Sequence, residues 1–242
     1  MGELSPLIFY MDESEAIDKR GKFMSITVAA IPADSVIDFQ RRYGARTLWL
    51  AKKKGRPSIK GYFPVLHGSK LPEDFSDDEK ITSIENLLRS FIEAGGYFAR
   101  LGFYHEGMYL PDIQVKETRV RTCLNLLLSG DIHDYREFFV VHEMDLRSLA
   151  RGLDTYSDMV LLQGQILSEG REEEYCPPFG LFAGYFVASS ADIGCQTADI
   201  ASYVALKNQT AKTEFSKRIK AVYMKFEDHF RINKVLRMTW DS

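Results

Sequence analysis

Leu7-Ile8-Phe9-Tyr10-Met11-Asp12-Glu13-Ser14 is the stretch around which the rest of the chain is organised. Five apolar residues run straight into two carboxylates and a hydroxyl. An unbroken apolar run of this kind fits a strand buried on both faces. Asp12 and Glu13 then carry negative charge to the edge of the core, where an unpaired charge is costly to desolvate. A divalent cation or a basic partner is the expected compensation. The plainer alternative is that the two acids open a turn toward Gly21.

Composition bounds what such a stretch can serve. The 242 residues suffice for a single large domain with a sizeable core. Apolar and charged contents of 45% and 27% are those of a globular, water-facing protein. A net charge of −3 gives the molecule as a whole no pull on polyanions, so any nucleic-acid contact must come from local basic patches. Cys123, Cys176 and Cys195 are dispersed and show no CxxC pair, which argues against a disulfide framework or a structural zinc site. The N-terminal residues lack a basic, then apolar, leader pattern, and no apolar run reaches the ~18–20 residues of a membrane span. The expectation is a cytoplasmic protein with no membrane partner. Composition does not fix the oligomeric state.

Outward from the first strand, Glu15 to Lys22 reads as a polar hairpin turn. Phe23 to Ile31 is β-branched and apolar, a second strand antiparallel to the first. Val36, Phe39, Tyr43 and Leu50 recur at helical spacing. Residues 41–60 hold eight basic side chains, Lys53 and Arg56 among them, with Trp49 inside the run. Such a patch can hold phosphates while aromatics offer stacking surfaces; a solvated helix face is the competing explanation. Ile59 to Leu66 is strand-like and leads into His67-Gly68-Ser69-Lys70, where His67 and Lys70 are candidates to touch a substrate. Ser76 reads as an N-cap before an amphipathic helix that stops at Gly95-Gly96. Tyr97 to Tyr104 is a strand, 118–128 and 146–170 are helical, and Arg136 to Met144 is another buried strand ending in Glu143 and Asp145. Leu181 to Ala188 is a short strand. Gln196 to Leu206 is a helix, and 211–232 a basic closing helix. Strands early, then strand and helix in alternation, predict an α/β layer with a mixed sheet. Sites in such sheets form beyond the carboxyl ends of strands, where Asp12, Glu13, Glu143 and Asp145 all fall. If their two strands are parallel neighbours, these acids converge.

Two motifs taken together resemble one family. The first is Tyr10-Met11-Asp12-Glu13-Ser14. The second is Gly194-Cys195-Gln196-Thr197-Ala198-Asp199, a Gln-x-x-Asp opening a late helix. In this order and separation the chain is similar, over roughly residues 6–207, to the domain-of-unknown-function family 3800. Its members are regarded as ribonuclease H-like. Glu15 stands where the family often has Gly, and Thr197 where an aliphatic residue is more usual; neither departure removes a carboxylate. The resemblance implies a ribonuclease H-like mixed sheet with helices on both faces, in one domain closed by the basic C-terminal helix. It also implies a nuclease-like site with two divalent cations. Carried over by position, Asp12 is the central ligand, Glu143 or Asp145 the second and Asp199 the third.

The residues themselves agree with that chemistry. Mg²⁺ and Mn²⁺ suit carboxylate oxygens, and two such ions can drive phosphodiester hydrolysis. Asp12 and Glu13 project to opposite sides of a strand, so one of them is the ligand; Glu13 stays a candidate catalytic acid or a partner for a basic residue. Asp145 is preferred to Glu143 by its place beyond the strand. Gln196, Lys70, Lys53 and Arg56 are candidate substrate contacts. His spacing gives no zinc motif, and there is neither a P-loop nor a GxSxG elbow. The expected function is therefore a Mg²⁺- or Mn²⁺-dependent nuclease or phosphodiesterase acting on nucleic acid. The alternative is a non-catalytic binding or regulatory protein that keeps the same fold.

Overall fold

The computed structural model describes residues 5–18, 21–53, 65–68, 70–105, 137–143, 181–188 and 191–238. They form an α/β protein built on one mixed sheet. β1 is Leu7–Asp18, β2 Gly21–Pro32, β3 Tyr97–His105, β4 Glu137–Glu143, β5 Leu181–Ala188 and β6 Phe230–Met238. Their order across the sheet is β5-β4-β1-β2-β3-β6. β1 and β2 pair antiparallel, as do β2 and β3, whereas β1–β4, β4–β5 and β3–β6 are parallel.

β1 is buried on both sides, as its apolar run requires. Leu7, Phe9 and Met11 sink into one face and Tyr10 into the other. The strand is longer than its composition suggests. It continues through the polar residues to Asp18, held by antiparallel pairing with β2 over its whole length. Asp12 and Glu13 therefore lie inside β1 rather than in a turn. What ends near them is the ladder to β4, whose final register pair is Met11 with His142.

Four helices are described: α1 (Val36–Lys53), α2 (Asp77–Glu93), α3 (Ile193–Thr210) and α4 (Glu214–Phe226). All four pack on the sheet face that carries Tyr10, Ala29, Ile31 and Phe98. Ring contacts trace the stack inward: Phe39 of α1 meets Phe91 of α2 edge-on at 5.2 Å, and Phe91 stacks on Phe98 of β3 at 5.4 Å. The expected helices at 118–128 and 146–170 lie outside the described residues, as does the strand-like run up to residue 64.

Local chemistry sets the helix ends. Ser76 and Glu79 form a reciprocal capping box at the start of α2. At its other end Gly95 takes a φ of 90°, a conformation that glycine alone adopts cheaply. The basic run of α1 is largely engaged in ion pairs: Arg42 with Asp38, Arg46 with Glu93, and Lys53 with the buried Glu79 at 2.7 Å.

The closing segment differs most from expectation. The helix over 211–232 is only α4, and Phe230 onward is a strand parallel to β3. The basic residues gave a helix-like charge pattern, but Phe230, Ile232 and the alternation around them have the period of two that a sheet edge selects.

Candidate functional site

The candidate site is the seam between β1 and α3. α3 begins at Ile193, three residues before the expected Gln196, because Asp192 caps it by accepting the N–H groups of Gly194 (2.8 Å) and Cys195 (3.1 Å). Asp199 is consequently in the second turn, not the first, so the helix dipole gives it little stabilisation. Asp192, whose residue type is equally common in turns, is the cap.

Two contacts fix how α3 lies on β1. At Gly194 a Cβ would fall 2.2 Å from the Tyr10 ring, so only glycine lets the first turn rest there. This burial pushes the Tyr10 phenol well above its ordinary range, with Asp192 adding to the effect. At the other end Ser202 Oγ donates to Ser14 Oγ at 2.8 Å, and Ser14 in turn meets Ser25 of β2 at 2.9 Å. From Tyr10 to Ser14 the strand advances about 13 Å; from Gly194 to Ser202 the helix advances about 12 Å. Strand and helix thus run side by side, residue for residue of length. Asp12 shares the face of Tyr10 and Ser14, midway between them, and so lies level with the turn of α3 that holds Ala198.

Asp199 and Gln196 form a clamp on the segment 65–68. The Gln196 Oε1 accepts the Leu66 N–H at 2.9 Å, while its Nε2 donates to the Ala191 carbonyl. The Asp199 Oδ2 accepts the Gly68 N–H at 2.7 Å, with His67 Nδ1 at 3.4 Å. Asp199 keeps 13% of its side-chain surface exposed. Gly68 lies against α3 so closely that a Cβ would fall 2.6 Å from Tyr203 Cβ and 3.1 Å from Asp199 Oδ1.

The predicted residues sort accordingly. Asp12 and Asp199 share one side of the sheet. Glu143 follows His142, the last residue of β4 paired with β1. Asp145 and Arg56 lie outside the described residues. Glu13 stands on the opposite face, its Oε1 3.9 Å from His142 Nε2, and does not join Asp12 and Asp199. Lys53 is held by Glu79, away from this seam. Lys70 lies two residues past the Gly68 clamp, in the wall of a cavity shared with Gly68, Tyr203 and Phe215. Nothing in the residue pattern points to the roles of Gly68, Tyr203 and Ser202. Glycine beside a suspected substrate loop was the available hint.

The donor set suits a hard cation in kind, being carboxylate oxygens. In number it is incomplete: among the described residues no group of three or more His, Cys, Asp and Glu is close enough to hold a metal ion. Among the described residues no helix is long and apolar enough to cross a membrane.

These features define an α/β protein with a mixed sheet, in which a helix carrying Gln-x-x-Asp is docked on the strand carrying Asp-Glu-Ser. Comparison with protein-family models, curated proteins and solved structures returned no match.

Proposed function

We propose that this chain is a divalent-cation-dependent phosphodiesterase of ribonuclease H-like fold that acts on nucleic acid, akin to family 3800. One observation carries the reading. The first strand, a middle strand parallel to it and a late helix are mutual neighbours, and the acids that the resemblance singles out on β1 and α3 occupy the same side of the sheet. Asp12, Asp199 and either Glu143 or Asp145 would hold Mg²⁺ or Mn²⁺. Ions bound there supply the charge that activates water and stabilises a leaving oxygen.

The rest falls to the chain's own groups. The Gly68 N–H and His67 orient the Asp199 carboxylate, which has about four lone-pair sites to share. Gln196 fixes the segment that delivers both of those groups. Because the site is mounted on a central strand and a buried helix, its acids are held in place before any ligand arrives.

The test is paired. Titration calorimetry with Mn²⁺ is expected to show binding that Asp12→Asn and Asp199→Asn each weaken at least tenfold, with unfolding midpoints retained. Cleavage of labelled DNA and RNA should be lost in both variants. Parent-like metal binding and cleavage in both would overturn the proposal. A second reading has its own support. Gln196 and Asp199 already serve as a structural clamp on residues 65–68. In that case the fold binds without catalysis, and Mn²⁺ produces no heat.

A further inference from the structure

The cavity beside Asp199 has a lining that the proposed reaction does not use. It is a hollow open to solvent, of about 480 Å³, within the ~300–1,000 Å³ usual for small-ligand sites. Gly68 is its inner wall, and the same residue donates to Asp199. Tyr203 and Phe215 provide two aromatic surfaces, and Lys70 and Lys80 two ammonium groups. Lys80 Nζ sits 5.9 Å from the Phe215 ring centre, and Lys207 Nζ sits 5.2 Å from that of Tyr203. Glu73 is the one acid among the lining residues. The acids that follow it are partly spent elsewhere, Asp78 on Arg218 and Glu79 on Lys53.

Aromatic faces attended by lysines, opening beside a carboxylate, match the parts of a nucleotide. A base has a π-face that stacks on any aromatic ring, whatever its sequence, and the phosphate next to it is an anion that ammonium groups attract. We propose that this cavity takes one unpaired nucleotide of a single-stranded nucleic acid, its base against Phe215 and Tyr203 and its phosphate toward Lys70 at the Gly68 end. The inference rests on the function proposed above and names its substrate class. A phosphate at the Gly68 end lies next to Asp199. A duplex keeps its bases stacked inside and cannot present one to these rings without the cost of extruding it. Strand binding therefore comes before duplex binding. Glu73 faces the incoming anion and weakens it, which gives the test a variant of opposite sign.

The experiment is fluorescence anisotropy of a labelled twelve-nucleotide oligothymidylate with the full chain in EDTA, so that binding is read without cleavage, at several salt concentrations. Lys70→Ala and Lys80→Ala are expected to lower the salt slope by about 0.7 each. Phe215→Leu, which keeps the apolar volume, should weaken binding at least fivefold with little change in slope. Glu73→Gln should tighten it. Duplex of the same length and free thymidine monophosphate should each compete at least tenfold less well than the strand. Binding indifferent to all four substitutions overturns the subsite, and does so even if cleavage still requires Asp12. Equal competition by the monophosphate, or by duplex, overturns the single strand as ligand. Binding that depends on Lys70, Lys80 and Phe215 in a protein whose metal-dependent cleavage is absent sustains the subsite and sinks the reaction instead. Circular dichroism of each variant checks the fold, which the exposed Lys70 and Glu73 leave intact.

Discussion

Gly68→Ala is the sharpest probe of how the seam is held. The backbone there is not in the left-handed region, where among the described residues only Gly95 falls, so the cost is one of space. The added Cβ would meet Tyr203 Cβ at 2.6 Å and Cγ at 2.9 Å, against an optimal carbon separation of about 3.5–4.0 Å. The loop must back away from α3, and overpacking of this kind costs about 1–3 kcal/mol. Moving off also stretches the 2.7 Å bond from Gly68 N–H to Asp199, whose acceptor is charged and worth about 1.5–3 kcal/mol. Since the same movement relieves one and loses the other, the two do not add in full, and about 2–3 kcal/mol is expected. Urea unfolding followed by circular dichroism measures it, with fluorescence as a check that the transitions coincide. The decisive step is a cycle with Tyr203→Gly, which removes both clashing atoms. Helix propensity and lost packing cancel in the cycle, leaving a coupling of about 1–2 kcal/mol in favour of the double variant. If the two substitutions add to within about 0.5 kcal/mol, the close approach of Gly68 to Tyr203 is not what holds the loop.

Further outcomes follow from other contacts. Gln196→Ala leaves the buried Leu66 N–H without its acceptor and should cost about 1–3 kcal/mol in the same urea assay. Arg100, 1% exposed, has Nε and Nη2 unpartnered, and burial brings its pKa down to about 10. Arg100→Met should therefore be neutral or stabilising by up to about 2 kcal/mol in thermal unfolding; a loss of that size would show that the guanidinium is needed. Tyr10 titrates above its ordinary 10.0 only in the folded chain. Above pH 10 the unfolded chain loses that proton first, so stability falls as pH rises, and Tyr10→Phe should make the fall shallower in urea titrations from pH 9 to 11. Ser76→Ala removes the capping box of α2 and should cost about 1 kcal/mol.

Much of this arrangement could be read from residue patterns, for identifiable reasons. β1 and β2 announce themselves through apolar and β-branched runs, and α2 through Ser76, its heptad-like spacing and Gly95. Those signals are local. The start of α3 was misplaced because Asp192 has the look of a turn residue, and only the two N–H groups it receives reveal a cap. β6 was hidden because lysines and arginines spaced along an edge strand resemble a solvated helix. The clamp on 65–68 was illegible, since it joins residues about 130 positions apart through backbone N–H groups that every amino acid has. Glu13 and Asp12 were separable in advance, because strand alternation is geometric and needs no knowledge of neighbours. What filled each side was not.

One jaw of the cleft is stiff and the other is soft. Asp12 sits on a strand paired with β2 along its whole length, so its surroundings open only with the sheet. Residues 65–68 are held on α3 by two side-chain bonds, the buried Leu66 and the close approach of Gly68 to Tyr203, fewer contacts than a sheet strand makes, and open at a fraction of that free energy. Amide exchange should accordingly differ by orders of magnitude between Asp12 and Gly68. Under the function proposed above, a ligand held between them would meet the loop first and the strand last, so the rate of its arrival and the accuracy of its placement would be governed by separate parts of the chain.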